Sequence, residues 1–183
     1  MIIETRRLIL KPITPSIINE LFRTKSKSEI IDFFGVDEAG YLRYEEMHEK
    51  GMETDRMSLF VFLLINKETG LPIGECGFHT WNQFHRRAEI FYLLRKEEDK
   101  KQGLMSEALE EVLKYGFKHL ALHRIEALVA AENVPSVKLL EKYNFTKEGT
   151  VREDYKVGDI NEDSDCYSLL KWEWEKRETS LFA

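Results

Sequence analysis

Residues 94–109 read LRKEEDKKQGLMSEAL: an apolar run stops at Leu94, a charged loop follows, and Gly103 opens an amphipathic segment. A glycine at the mouth of a helix lets backbone N–H groups come close to a ligand. The unpaired amides and the positive end of the helix dipole favour phosphate oxygens, so the stretch reads as an anion site. Lys96, Lys100 and Lys101 add positive charge. Downstream of Gly103, apolar residues recur every three to five positions through Leu120, with Glu107, Glu110, Glu111, Lys114 and Lys118 on the other side. That spacing predicts an amphipathic helix of about five turns. It is flanked by AEIFYLL (88–94) and RIEALVAA (124–131), both strand-like. Strand, helix, strand makes a βαβ unit, which sets the two strands parallel and puts the glycine loop at their carboxyl ends.

Working outward, Leu59–Ile65 and Ile73–Trp81 are strand-like runs joined by NKETGLP, a turn-forming link, and NQFHRR leads into Ala88–Leu94. Three consecutive strands of this kind predict an antiparallel meander. Glu89 sits in the middle of the third. It either points to solvent or is held in a site, where partial burial would raise its pKa towards that of a useful base. Upstream, Arg6–Ile13 reads as a strand, Thr14-Pro15 as a helix start, Ser28 as the start of a second short helix ending at Gly35, and Asp37–Glu53 as a third helix. Tyr41, Leu42, Tyr44 and Met47 give that third helix one apolar side, read as a packing face.

After the inner strand, ENVPSVKLLEKYNF (132–145) carries Asn133 as a helix cap, Pro135 in the first turn, and a buried stripe of Val137, Leu140 and Tyr143. Asn133 and Ser136 thus start a helix beside the crevice that begins at Gly103. Phe145–Arg152 and Cys166–Trp174 are the last two strand candidates, giving about seven strands, and REDYKVGDINEDSD between them reads as an acidic loop. It is either a solvated loop or a rim that attracts amines. Residues after Lys176 are expected to fray.

At 183 residues, 43% hydrophobic and 11% aromatic, the chain is expected to form one domain with a true core. It divides into a variable segment 1–57, a core 58–145 and C-terminal strands 146–175. The longest apolar run falls far short of the ~20 residues that span a bilayer, and the first residues lack a signal peptide's order, so no membrane association and a cytoplasmic location are expected. Two cysteines, Cys76 and Cys166, suit a reducing compartment. The five histidines form no HExxH pair, so no metal is expected. A net charge of −6 argues against a nucleic-acid partner held by a basic face.

Taken together, TRRLIL, AEIFYLL, KKQGLMSEAL, NVPSVKLLEKYNF followed by EG, and DCYSLLKWEW, in this order and spacing, resemble the GNAT superfamily of acetyl-CoA-dependent N-acetyltransferases. Within it they resemble the branch containing the RimJ and RimL ribosomal-protein acetyltransferases. The resemblance implies the GNAT fold, an α+β (α/β) architecture with a central mixed, mostly antiparallel sheet flanked by helices. It implies that acetyl-CoA is the donor and a primary amine the acceptor, with the N-terminal amine of a protein such as a ribosomal protein as one candidate. Gln102, Gly103, Leu104, Met105 and Ser106 would bind the pyrophosphate with Lys100. The main chain of Leu93 and Leu94 would pair with pantetheine like an added strand. Asn133 would hydrogen-bond the pantetheine arm, and Glu89 would be the base that takes the amine proton, through water.

Two positions of the coenzyme A loop depart from the family's pattern, with Lys100 for Gln or Arg and Met105 for a small residue. The tyrosine that often protonates the leaving thiolate is replaced by Leu140, which turns attention to Ser136 as acid or thiolate hydrogen-bond donor. The departures leave open a coenzyme A-binding regulatory or interaction module, and because no motif in the first 57 residues or in the stretch 153–165 names the acceptor, an acetyltransferase acting on a small amine such as a polyamine or antibiotic stays open as well. A monomer or homodimer is expected.

Overall fold

The computed structural model describes residues 1–53 and 58–180. Positions 54–57, in the segment assigned to the acceptor side, lie outside the described residues. The chain runs β1 (Ile3–Glu4), β2 (Leu8–Ile13), α1 (Pro15–Thr24), α2 (Lys27–Phe34), α3 (Glu38–Lys50), β3 (Ser58–Asn66), β4 (Pro72–Asn82), β5 (Arg87–Leu94), α4 (Leu104–Lys118), β6 (Arg124–Val129), α5 (Val134–Lys142), β7 (Thr146–Val157), β8 (Ile160–Leu170) and α6 (Lys171–Ser180). The strands form one sheet in the order β1-β2-β3-β4-β5-β6-β8-β7. Every pairing is antiparallel except β5 with β6, as the βαβ reading requires. Among the described residues the sheet has eight strands rather than seven, the extra one being the two-residue β1.

Period-two alternation in the strands splits the apolar residues into two cores. Leu8, Leu10, Phe62, Leu64, Cys76, Phe78 and Ile90 face α4, α5 and Trp174 of α6. Val61 and Leu63 face the other way, onto α1, α2 and α3. The helix starts are chemically specified. Thr14 caps α1, Asp37 caps α3, and Ser26 with Glu29 forms a capping box on α2. Gly35 ends α2 in the left-handed region at φ 63°, which favours glycine. The apolar side of α3 is a packing face: Tyr44 is fully buried and stacks on Phe34 at 3.6 Å between ring centroids.

Three expectations change at the C-terminal end. The acidic stretch after Arg152 is not a loop: β7 and β8 continue as a hairpin arm to a turn at Gly158-Asp159, where Val157 pairs with Ile160. Its charges work as cross-strand partners, Lys147 with Asp165 at 2.6 Å and Tyr155 Oη donating to Glu162 at 2.7 Å. Charged residues on a solvated two-stranded arm look like loop composition because neither face needs an apolar stripe. The strand expected to run to Trp174 stops at Leu170, where the Glu173 carboxylate accepts the Leu170 N–H at 2.9 Å and so helps start α6. Helix then replaces the expected fraying after Lys176 as far as Ser180. Trp174 is buried against Phe117, ring centroids 5.2 Å apart, which holds α6 on α4.

The feature that positions everything else is how little β5 and β6 pair. Their ladder holds only Arg87–Arg124, Ala88–Ile125 and Glu89–Glu126. Beyond Glu89, β5 goes on pairing with β4 to Leu94, and β6 with β8 to Val129. The parallel strands therefore separate in mid-sheet and leave a gap whose β5 wall is an unpaired edge.

Candidate active site

At the carboxyl end of β5 the chain turns through a short 3-10 turn, Glu97–Asp99, and enters α4 with Lys101 at φ 59° and Gly103 at φ 75°. Gly103 is the N-cap, and no side chain caps the helix, so its first-turn amides lack the usual Ser, Thr or Asp acceptor. Leu104 is buried and Met105 packs against the core, so each presents main chain rather than side chain at the helix mouth. Lys100 folds back onto Glu97 at 2.5 Å, and Gln102 Nε2 donates to the Glu98 carbonyl at 2.5 Å.

The loop is fastened by a residue to which the sequence assigned no role. Glu107 accepts from Thr5 Oγ1 at 2.5 Å, Arg7 N at 2.7 Å and Arg7 Nε at 2.8 Å. Burial pushes the Glu107 pKa up, but these bonds outweigh it and hold the carboxyl below its ordinary value. Arg7 Nη1 then donates to the Gln102 carbonyl at 2.9 Å, tying the glycine loop to the start of β2. The signal was present in TRRLIL and SEAL, but nothing local to either motif shows that they meet across about 100 residues.

The gap between β5 and β6 is a cleft of about 390 Å³, and Glu89, Asn133 and Ser136 all line it. The loop residues Lys100 to Ser106 do not line this cleft; Gly103 and Ser106 line a separate cavity of about 550 Å³ beside α4. Leu94 is buried, while Leu93 is half exposed; both lie on the stretch of β5 whose second edge is unpaired.

Glu89 occupies the centre of a row running across the sheet: His79 opposite on β4, Glu89, then Glu126 opposite on β6. Its side chain is 16% exposed, and His79 Nε2 stands 3.4 Å from Oε1. Burial first, then the like charges of Glu126 and Asp154, raise its pKa from an ordinary 4.5 to about 7. Burial lowers the pKa of His79, so near neutral pH the imidazole is uncharged and its contact with Glu89 is not a full ion pair. Glu126 is already held by Arg87 at 3.4 Å and by Arg124 at 3.2 Å. Asp154 has no partner among the described residues. It and Tyr155 bring the hairpin arm into the cleft wall, so the acidic stretch is part of this site's surroundings.

On the opposite face of the sheet, Tyr92 packs with the α4 core and lines the same cleft. Burial raises the pKa of Tyr92, and the neighbouring Ser136 side chain offsets part of that rise. Asn133 caps α5, its Oδ1 accepting the Ser136 N–H at 3.3 Å. Tyr92 was missed in AEIFYLL because a tyrosine in an apolar strand reads as packing; only the divergence of β6 makes it a cleft residue. Tyr143, the other hydroxyl near the α5 stripe, lies elsewhere: its Oη donates to the Ser106 carbonyl at 2.5 Å and burial raises its pKa to about 12. The cleft thus has a carboxyl with a pKa near neutrality on one face and the hydroxyls of Tyr92 and Ser136 along its other wall. Among the described residues, no cluster of His, Cys, Asp and Glu is arranged to hold a metal ion.

Comparison with known proteins bears on both family and fold. The family model described as "Acetyltransferase (GNAT) domain" matches residues 7–146. The chain is 45% identical over 113 residues to the uncharacterized N-acetyltransferase p20 of Bacillus licheniformis, covering 62% of this chain and 63% of that protein. It is 33% identical over 180 residues to the uncharacterized N-acetyltransferase YoaA of Bacillus subtilis (strain 168), covering 93% and 97%. Among solved structures, a mutant form of the spermidine/spermine N-acetyltransferase SpeG from Vibrio cholerae superposes with a TM-score of 0.72 over 95% of this chain and 99% of that one. At 21% sequence identity that likeness speaks for the fold alone.

Proposed function

The chain belongs to the GNAT acetyltransferase family, and from that premise we propose that it moves an acetyl group from acetyl-CoA to a primary amine through the cleft between β5 and β6. The observation that carries this reading is the separation of the two parallel strands after Glu89, which opens the sheet between a basic carboxylate and a pair of hydroxyls. The unpaired edge of β5 at Leu93 and Leu94 suits the amides of the pantetheine arm, and Asn133 adds a polar group at the same mouth. The uncapped first turn of α4, Gln102 to Ser106, suits the pyrophosphate. Lys100 contributes charge at that loop once released from Glu97.

In the reaction, an ammonium acceptor enters from the Glu89 face. Glu89, as carboxylate, takes its proton through water. The neutral amine adds to the thioester carbonyl, a zwitterionic tetrahedral intermediate forms, its nitrogen gives up a second proton that water relays towards the sulfur, and the carbon–sulfur bond breaks. Ser136, backed by Tyr92, supplies the hydrogen bond or proton to the departing thiolate on the far face. Leu140, at the family's tyrosine position, is fully buried and takes no part. At pH 7, freeing an α-amino group of its proton costs about 1 kcal/mol, against ~4.6 for a lysine-like amine. A base with a pKa of about 7 is matched to the first task.

For that reason the acceptor we favour is the N-terminal amine of a protein or peptide, a ribosomal protein being one candidate of this class. A second reading, a small polyamine, is supported by Asp154, a carboxylate without a partner among the described residues at the cleft wall. Acetyl-CoA turnover with a tetrapeptide bearing a free N-terminus, the same peptide N-blocked, and spermidine separates them. Turnover only with the free peptide supports the first reading and turnover only with spermidine the second. Coenzyme A binding without turnover of any amine supports a binding module and refutes the enzyme proposal.

A further inference from the structure

On its Glu89 face the cleft carries polar groups that the transfer of a proton does not use. Side chains two apart on a strand share a face, so Phe91 lies on the Glu89 side of β5, and Leu128 on the Glu126 side of β6, directly across from it. On β8, Ser168 stands opposite Glu126, so Ser164, four residues earlier, faces this side as well. Ser164 lines the cleft and is only 3% exposed, yet its hydroxyl has no hydrogen-bond partner among the described residues. Asp154 arrives from the neighbouring strand through a bulge. Between the pairs Val151–Ser164 and Tyr155–Glu162, β7 advances four residues while β8 advances two. Within that bulge Glu153 takes a φ of 51°, in the left-handed region, and its N–H donates to Asp163 Oδ1 at 2.8 Å. Bulges re-aim side chains, and here the result is that Asp154 reaches the cleft wall. The carboxylates around it are already engaged: Glu162 accepts from Tyr155 Oη at 2.7 Å, and Asp165 pairs with Lys147 at 2.6 Å. Asp154 has no such partner among the described residues, and no Lys or Arg lines the cleft.

We propose that Asp154 and Ser164 form a cation subsite in the cleft beside Glu89, which selects an acceptor peptide carrying a second positive charge, Lys or Arg, as the residue after its reacting N-terminus. The inference rests on the reading of this cleft as the place of acetyl transfer. An ammonium or guanidinium group brings several N–H donors and no acceptor, which matches a carboxylate without a partner and a hydroxyl with free lone pairs. Asp154 is exposed, so water screens its charge and a bare ion pair there would contribute little. The enclosed Ser164 hydroxyl adds a directed bond to the same cation. Phe91 and Leu128, half-buried on the same face, offer apolar surface along which the stem of a Lys or Arg side chain can lie. Asp154 is also near enough for its charge to act on Glu89, which puts the two ends of the acceptor within one cleft. The strained bulge at Glu153 thereby has a consequence: it brings a specificity-determining carboxylate to the site.

The test measures kcat/KM for acetyl transfer by the wild type, Asp154→Asn and Ser164→Ala. The acceptors are tetrapeptides that differ only in having lysine, glutamine or glutamate as second residue, with spermidine alongside. The wild type is expected to prefer the lysine peptide over the glutamine peptide about tenfold, the size of one hydrogen bond to a charged group, and to use the glutamate peptide least. Asp154→Asn brings the lysine-to-glutamine ratio close to one, and Ser164→Ala lowers it in part. The ratio is read within each variant, so a change in overall activity or in the titration of Glu89 cancels from it. Asp154 is exposed and asparagine has its shape, so the variant keeps the fold. A wild-type ratio near one overturns the proposal, as does a lysine preference that survives in Asp154→Asn. Turnover of spermidine with all three peptides inert overturns it in favour of a polyamine acceptor. Absence of turnover with every acceptor refutes the transfer reaction itself, a result distinct from an active enzyme that is indifferent to the second residue.

Discussion

Glu89→Gln tests the chemistry and the electrostatics of the cleft in one variant. Glu89 is mostly buried beside His79, Glu126 and Asp154, and its pKa rises from 4.5 to about 7. At about 1.36 kcal/mol per pH unit, that difference means the ionised side chain costs the folded state about 3 kcal/mol. The sign follows from which state holds the proton. Below about pH 4.5 both folded and unfolded chains are protonated and the cost is nil. As pH rises, the unfolded chain loses its proton first, so this group removes stability progressively until about pH 7, where the full cost is present. Glutamine carries no charge at any pH. Urea unfolding at pH 4.5, 6 and 8 should therefore show Glu89→Gln gaining stability relative to the wild type as pH rises, by about 3 kcal/mol between the ends of the series. Turnover should move the opposite way. Loss of a general base costs 10²–10⁴-fold, and the wild-type rise of kcat/KM through about pH 7 should vanish in the variant. A stability difference independent of pH would refute the placement of Glu89 in a desolvating, acidic surrounding. Full turnover with an unchanged pH profile would refute its role as base.

Three further outcomes follow from the geometry. Ser136→Ala and Tyr92→Phe should each lower kcat about tenfold, less than the ~10²–10⁴-fold of a lone general acid because the other hydroxyl remains at the cleft, with coenzyme A affinity nearly unchanged; lost affinity at unchanged kcat would make Ser136 a structural cap. Gly103→Ala should destabilise the protein by about 1–2 kcal/mol in urea unfolding and raise the KM for acetyl-CoA, because φ is 75° while the added Cβ makes only an ordinary 3.6 Å contact with Arg7. Glu107→Gln should cost about 2 kcal/mol at pH 7, since the carboxylate accepts from Thr5, Arg7 N and Arg7 Nε. Its folded pKa is lowered, so its stabilisation is present above its ordinary 4.5 and is lost as pH falls through the folded value; the difference between variant and wild type should shrink in acid.

Much of the chain is legible from local chemistry alone. The spacing of Val112, Leu113 and Phe117 specifies a helix whatever surrounds it, and Thr14 and Gly35 mark helix ends by bonds made within a few residues, whereas α2 starts at Lys27 rather than at the expected Ser28 because Ser26 is the residue that caps it. The hairpin from β3 to β4 and the parallel relation of β5 to β6 follow from turn residues and chirality. The misreadings lie where one composition serves two environments. An exposed hairpin arm has the charge content of a loop, and KWEW alternates like a strand while Glu173 starts a helix.

The candidate site divides along the same line. By itself the sequence determined that a glycine opens a helix at the end of a strand, that Glu89 interrupts an apolar strand, and that Asn133 and Ser136 start the next helix, because each depends on residues a turn or two away. The tertiary structure decided that β5 and β6 pair at only three positions and then part. That separation depends on neighbours on both sides: β4 holds β5, and β8 holds β6. It is what turns Glu89 and Tyr92 into opposite walls of one cleft. The same long-range packing brings Arg7 and Glu107 together and sets Lys142 on Ser106, so the charge around the glycine loop depends on contacts that no single stretch of sequence contains.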